Sequence, residues 1–186
     1  TVMPTLLGAG SISASFVPVS SRLIPGGRAE EAGRLAGAVF GLLLALVSAL
    51  ALAGILLARP LVTVLVPGFL GDAAAVAAGE LEVDRFELAV QTVRIIFPMT
   101  GVLVLAAWAL GVLNAHRRFL LPYLGPVLWN VAIIAALAVA GASLWSGPGP
   151  AEGAQTRLLF AACWGALAGG VAQFAVQLPL VARLMR

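Results

Sequence analysis

The chain has 186 residues, 61% of them hydrophobic and 10% charged, and its formal net charge is +3. A water-soluble domain of this length lacks the polar surface to cover so many apolar side chains, so the composition excludes a soluble globular domain. Because a membrane-spanning helix takes about 20 apolar residues, the chain has room for roughly five or six spans and for no extramembrane catalytic domain.

The apolar segments predict an all-α bundle of about five transmembrane helices in a single membrane domain. In chain order, the expected spans cover residues 2–20, 35–58, 88–114, 119–145 and 156–184. The first segment is the least hydrophobic of them. Its small residues Gly8, Ser11 and Ser15 suit a helix that packs closely on its neighbours or lines a cavity.

The second span is the clearest, because it is an uninterrupted apolar run. Gly33, Gly37 and Gly41 recur at every fourth position and predict a smooth stripe for close helix contact. Residues 61–70 are apolar but few, and we expect them to extend the second helix or to lie at the membrane interface. Residues 71–87 contain five acidic side chains and are expected to form a solvated acidic loop.

A polar face enters the third span from its N-terminal end. Glu87, Gln91, Arg94 and Pro98 are spaced by four, three and four residues, so they share one side of a helix. An ionisable group at membrane depth is costly and needs a reason. Two structural interpretations are open for Arg94: its side chain reaches the interface, or it pairs with Glu87. The functional interpretation is a cation that lines a cavity for an anionic substrate.

The fourth and fifth spans carry amide side chains. Asn130 lies one turn after Pro126, where its amide could satisfy a freed backbone carbonyl or bond to a neighbouring helix. Gln173 and Gln177 are one turn apart on one face of the fifth span. They either line a water-filled cavity or join helices by hydrogen bonds. With Arg94, these three amides are the candidate substrate-binding residues of the cavity.

Enzymatic interpretations find little support in the sequence. The single histidine, His116, lies in a loop beside two arginines, and the single cysteine, Cys163, lies in an apolar run where we expect a packing role. No group of His, Cys, Asp or Glu has metal-ligand spacing, and no glycine-rich phosphate loop is found. The sequence therefore predicts no catalysis, no metal and no cofactor. Trp108 and Trp164 lie deep in their spans and are expected to be packing residues.

The arginines indicate an orientation. Five consecutive spans place seven of them on one side with two acidic residues: Arg22, Arg28, Arg34, Arg117, Arg118, Arg183 and Arg186. The other side has four arginines and six acidic residues. By the positive-inside rule, the seven-arginine side is cytoplasmic and the chain starts outside. Because the arginines cluster in loops, they do not favour nucleic acid binding. A first helix that runs inward, in a chain without an initial Met, is expected of a segment of a longer protein.

Three sequence runs carry a resemblance: Arg94-Ile-Ile-Phe-Pro98, Gly111-Val-Leu-Asn114-Ala-His-Arg-Arg118-Phe119, and Gly125-Pro126-Val-Leu-Trp-Asn130. With Pro4-Thr-Leu-Leu and the following Gly8 to Pro18, the whole chain resembles the MurJ/MviN lipid II flippases. The resemblance implies helices two to six of a fourteen-helix fold in the multidrug/oligosaccharidyl-lipid/polysaccharide exporter superfamily. Arg94, Asn114, Arg118 and Asn130 match polar positions of that family, and Asn114, Arg117 and Arg118 form a helix-end group at the interface. Gly8-Ala9-Gly10 departs from the family's Gly-Glu-Gly.

The resemblance implies a function and a location. Such a protein moves undecaprenyl-pyrophosphate-linked peptidoglycan precursor from the inner to the outer leaflet of the bacterial plasma membrane by alternating access. Its partners are membrane lipid, the lipid-linked precursor and a coupling ion, with no nucleic acid. The alternatives are a related exporter of drugs or polysaccharide lipids, and a non-transporting membrane scaffold of cell-envelope assembly.

Overall fold

The computed structural model describes residues 29–118, 120–145 and 153–185, and every regular element in these ranges is helical. The helices are α1 Ala29–Leu56, α2 Ala58–Leu65, α3 Asp72–Ala77, α4 Arg85–Ala115, α5 Leu120–Trp145 and α6 Ala154–Leu184. A short 3-10 helix, Pro67–Phe69, separates α2 from α3. The predicted all-α fold class is confirmed.

Four segments are long and apolar enough to cross a membrane: Gly33–Leu56, Arg85–Ala115, Tyr123–Leu144 and Ala154–Leu184. They lie over the predicted segments 35–58, 88–114, 119–145 and 156–184. The bent pair Ala58–Leu65 and Pro67–Ala77 passes the same test when taken together, which gives four to five candidate spans in the described part of the chain. The first predicted span, 2–20, lies outside the described residues.

The connection between α1 and α4 differs from the predicted solvated loop. Helix α2 extends α1 after one residue, Leu57, whose N–H and carbonyl still bond to Ala53 and Leu61. The axis then bends by 102° at Pro67, whose ring removes a backbone donor. One carboxylate of the acidic segment leaves solvent, because Asp72 begins helix α3 and is only 3% exposed, whereas Glu80 and Glu82 are exposed. The prediction of a solvated loop over 71–87 is therefore wrong for this carboxylate.

Helix α6 contacts both α5 and α4, and α4 also contacts α1. Glycines bring α6 close to α5. A methyl group built on Gly169 would lie 2.8 Å from Cδ1 of Trp129 and 2.9 Å from its backbone oxygen. One built on Gly165 would lie 2.7 Å from Cβ of Ala136. The backbones of α5 and α6 are therefore close together, as small residues permit in membrane helix pairs.

A hydrophobic core fills the space between α1, α4 and α6. Its buried residues include Leu113 and Val181, and partly buried aromatic side chains pack against it. The Phe40 ring lies 4.6 Å from the Trp108 ring and 6.5 Å from the Phe174 ring, measured between centroids. One aromatic residue from each helix therefore joins the three spans.

Two packing expectations need correction. The glycine stripe of α1 meets Met185, just after α6, at Gly33 and more loosely at Gly37. A methyl group on Gly33 would lie 2.7 Å from the Met185 backbone oxygen, but one on Gly41 would meet no described atom within 4 Å. Trp164 is 58% exposed, so it faces outward, whereas Trp108 is buried as expected. Helix rotation about its axis decides such differences, and hydropathy does not record it. Cys163 is buried, as predicted.

Candidate functional site at membrane depth

The start of α4 is fixed by a network of charged side chains. Asp84 has an extended backbone, and its side chain accepts a hydrogen bond of 3.1 Å from the Glu87 N–H, which caps the helix. The Glu87 carboxylate pairs with Arg59 of α2 at 2.5 Å and accepts a 3.5 Å hydrogen bond from Gln91. The predicted alternative that Glu87 pairs with Arg94 is wrong, since Arg59 occupies this carboxylate.

A second ion pair ties α3 to α4. Nε and Nη2 of Arg85 donate to the two oxygens of Asp72 at 2.6 and 2.8 Å, and the Arg85 backbone N–H donates to the same carboxylate at 3.2 Å. The hydrogen bonds from Arg85 hold the pKa of the Asp72 carboxyl below its ordinary value, against the opposing effect of burial. The Arg85 guanidinium also lies 4.8 Å from the Phe69 ring centroid. Asp72, Arg85 and Phe69 thus fasten the bent segment to the membrane bundle.

Arg94 lies nine residues after the start of α4, which is about 14 Å along the helix axis. Its side chain is exposed, and among the described residues no hydrogen bond or ion pair engages its guanidinium. A cation in a spanning helix faces a protein interior or a water-filled cavity rather than lipid. The exposed face of α4 around Arg94 is therefore a surface that water, a polar ligand or further protein must cover.

Asn130 is exposed on α5, and its Nδ2 donates a 2.8 Å hydrogen bond to the carbonyl of Pro126. The amide thus bonds within its own helix, and the accepting carbonyl belongs to the proline itself, not to the residue one turn earlier. No hydrogen bond joins Asn130 to another described helix. The amide oxygen stays available on the exposed face.

Gln173 and Gln177 occupy different environments although they lie one turn apart. The Gln173 side chain packs on Gly125 of α5, where a methyl group would lie 2.9 Å from its Cγ. Gln177 is 1% exposed, and its Oε1 is a buried acceptor with no partner among the described residues. Gln177 follows Phe174 by three residues and precedes Val181 by four, so it points into the same core. Neither of the two described cavities is lined by this amide.

Trp108 contributes a second unpartnered polar atom to this core. Its Nε1 is buried without an acceptor, whereas Nε1 of Trp129 donates a 2.9 Å hydrogen bond to the Ala166 carbonyl and joins α5 to α6. We expect Trp129→Phe to lower the free energy of unfolding by about 1 kcal/mol more than Trp108→Phe, because only the first substitution removes a hydrogen bond. Thermal unfolding of the full-length protein in detergent measures the difference. Equal losses of stability in the two variants would contradict the hydrogen bond between Trp129 and Ala166.

The turn after α4 contains the helix-end group Asn114, Arg117 and Arg118. The Arg118 N–H bonds to the Leu113 carbonyl at 2.9 Å, and the Arg117 N–H bonds to the Asn114 carbonyl at 3.0 Å. This pair of bonds is the Schellman motif, whose C′ residue is left-handed and usually glycine. Here that residue is Arg117, with φ of 57°. His116 completes the turn through a 2.9 Å contact between its Nδ1 and the Val112 carbonyl.

Arg117 has an unfavourable backbone conformation, because its Cβ crowds the chain in the left-handed region. The two other described residues with positive φ, Gly79 and Gly153, are both glycines. We expect Arg117→Gly to raise the free energy of unfolding by about 1 kcal/mol. The matched variant Ala115→Gly, in the last turn of α4, should lower it by about 1 kcal/mol. Thermal unfolding of the full-length variants gives both signs, and a loss of stability in Arg117→Gly would contradict the strain.

The structure does not gather the four predicted cavity residues into one cluster. Arg94 and Asn130 are exposed on α4 and α5, Gln173 lies in the contact between α5 and α6, and Gln177 is inside the core. Two described cavities lie elsewhere. One of about 700 Å³ is lined by residues that include Glu80, Glu82, Arg85, Gln155 and Thr156. One of about 140 Å³ lies between α1 and α4 and is lined almost entirely by apolar side chains.

The sequence interpretation missed the Asp72–Arg85 pair and the strain at Arg117. The ion pair had a weak signal in the sequence, because Asp72 comes shortly after the Pro67-Gly68 break, but its partner Arg85 lies thirteen residues away. The second had none, since Arg117 looks like any other loop arginine. Across the ranges that the structure describes, no group of three or more His, Cys, Asp or Glu side chains could hold a metal ion.

Comparison with known proteins gives the family. The model of the family described as lipid II flippase MurJ matches residues 1–186. The chain belongs to this family. It is 40% identical over 106 residues to the lipid II flippase MurJ of Burkholderia cenocepacia, a match that covers 56% of this chain and 18% of the relative. It is 29% identical over 173 residues to the probable lipid II flippase MurJ of Rhizobium tropici, covering 92% of this chain and 29% of that protein.

A third relative, the probable lipid II flippase MurJ of Rhizobium meliloti, is 30% identical over 173 residues. The chain therefore corresponds to less than a third of the length of these MurJ proteins. No solved structure matches it. The family is one of multi-pass membrane transporters, which agrees with the several apolar helices of the described region.

Proposed function

We propose that the full protein translocates a lipid-linked peptidoglycan precursor, lipid II, from the inner to the outer leaflet of the bacterial plasma membrane by alternating access. The observation that carries the proposal is the match of the MurJ family model along all 186 residues. The curated relatives with this name support the substrate class. Within this proposal the protein acts on lipid and needs no covalent chemistry from its own side chains.

The charge distribution supports a role for these helices in holding the head group. The pyrophosphate of the precursor is an anion, and Arg94 offers a guanidinium that no described carboxylate neutralises. Guanidinium groups bind phosphate through paired charge-assisted hydrogen bonds. We propose that Arg94 and the exposed amide oxygen of Asn130 face the translocation cavity, while Gln173 and Gln177 support the packing of α6.

The orientation follows from the arginine count. With the five predicted spans, seven arginines on one side against four on the other favour a cytoplasmic location for the end of α4 at Arg117. Arg94 then lies in the outer half of its span. A cation at this depth attracts the pyrophosphate away from the inner leaflet, which is the direction that export requires.

Complementation tests the proposal. The full-length gene is expressed in a bacterial strain depleted of its own lipid II flippase, and growth is measured together with the amount of lipid II accessible at the outer face. We expect growth and outer-face lipid II to be restored. Normal insertion into the membrane without restoration of either would overturn the proposal and favour the non-transporting scaffold.

A further inference from the structure

The turn Asn114–Arg118 holds two exposed guanidinium groups on a rigid base. Leu113, whose carbonyl accepts the Arg118 N–H, is completely buried in the core between α1, α4 and α6. The turn therefore cannot shift without disturbing that core. Arg117 keeps a conformation in which glycine would be more stable, yet its side chain is exposed. A strained residue on a well-anchored turn indicates that the side chain itself is used.

Capping of the helix does not explain the side chain. The carbonyls at the end of α4 already accept backbone N–H groups: Val112 from His116, Leu113 from Arg118 and Asn114 from Arg117. Glycine at position 117 would preserve these bonds. No hydrogen bond or ion pair to a described residue engages the guanidinium of Arg117 or Arg118. Both exposed side chains are therefore available to bind a partner from outside the described part of the chain.

Helices α4 and α6 contribute only basic side chains at this end of the bundle. Helices α4 and α6 run parallel. Gly170 of α6 lies against Val102 and Leu103 of α4, and eleven residues further along each helix Val181 and Leu113 share one core. Arg183, exposed in the last turn of α6, is thus at the same end of the bundle. Between Leu88 and Arg186 the sequence has one acidic residue, Glu152, in the connection at the opposite end of α6.

The turn lies at the depth expected for lipid head groups. The apolar spans Arg85–Ala115 and Ala154–Leu184 end within three residues of Arg117 and Arg118 and next to Arg183. These guanidinium groups therefore lie where the hydrocarbon ends and the phosphates begin. The first turn of α1, which contains Glu30 and Glu31, lies at the same end, since Gly33 packs against Met185 after the last turn of α6.

We propose that Arg117 and Arg118, with Arg183 adding to the field, form a binding site for the phosphate of an anionic phospholipid in the inner leaflet. A guanidinium pair can chelate a phosphate with several charge-assisted hydrogen bonds, which an isolated interfacial charge cannot. The site fixes the end of α4 to the membrane surface. It is separate from the substrate cavity and does not depend on the transported molecule.

Lipid binding to the purified full-length protein tests the site. Native mass spectrometry in detergent compares the affinity for phosphatidylglycerol with that for phosphatidylcholine. We expect wild type to prefer phosphatidylglycerol, and Arg117→Gly to lose about fivefold in affinity for it, with a similar further loss in Arg117→Gly/Arg118→Gln. Since glycine suits the turn, this loss cannot come from misfolding. Arg117→Lys, which keeps the charge but loses the planar fork, should lose less affinity than Arg117→Gly.

The control is Arg157→Gln, which removes an exposed arginine at the other end of α6 and should leave the affinity unchanged. Unchanged phosphatidylglycerol binding in Arg117→Gly would overturn the proposal. An equal loss in Arg157→Gln would also overturn it, because any interfacial charge would then be enough. Displacement of the lipid by millimolar inorganic phosphate would assign the turn to a free anion instead.

Discussion

Arg94→Ala in the full-length protein is expected to reduce lipid II translocation by at least about tenfold. The substitution removes a charge-assisted hydrogen bond to the pyrophosphate, an interaction of about 1.5–3 kcal/mol. Arg59 cannot supply the lost charge, because it already pairs with Glu87 at the start of this face. The measurement is growth of the flippase-depleted strain together with outer-face lipid II, normalised to the amount of protein in the membrane.

Two variants make this result specific. Arg94→Lys keeps the positive charge but loses the planar fork, so we expect partial activity. Arg157→Ala removes an exposed arginine from the first turn of α6 that is not among the proposed cavity residues, and should be as active as wild type. Full rescue of growth by Arg94→Ala at normal abundance would exclude this side chain from the mechanism. That result would leave the proposed lipid site at Arg117 unaffected.

Gly169→Ala is expected to have the largest effect on stability. Its methyl group would lie 2.8–3.0 Å from Trp129 and Ala132 of α5, and one of the atoms it meets is a backbone oxygen that cannot rotate away. The helices must then separate, and the loss extends to the hydrogen bond between Trp129 and Ala166. We expect the free energy of unfolding to fall by about 2–3 kcal/mol relative to a matched glycine variant.

The matched variant is Gly141→Ala in α5, where a methyl group meets no described atom within 4 Å. Both substitutions gain the same helix propensity of about 1 kcal/mol, so their difference isolates the clash. Thermal unfolding of the full-length proteins in detergent gives the comparison. Equal midpoints would mean that the contact between α5 and α6 is looser than the structure describes.

Much of the architecture could be predicted because lipid imposes the same demand on every span. A helix in hydrocarbon must satisfy its own backbone and present apolar side chains, so runs of hydrophobic residues mark four spans to within a few residues. The site was less predictable. Asn130 was expected to bond to a freed carbonyl or to another helix, and it bonds to Pro126 of its own helix. Gln177 was expected in a cavity or between helices, and its amide oxygen lies unpartnered in the core.

The sequence by itself determined the fold class, the approximate spans and the arginine asymmetry, because these depend on composition and on local hydropathy. Only the tertiary structure decided which polar groups meet. Glu87 pairs with Arg59 and not with Arg94, and Asp72 leaves solvent to bind Arg85. The physical reason is that pairing depends on how each helix is rotated and on where the chain bends. A single residue, Arg117, acquires its strain only from the turn that the folded core holds in place.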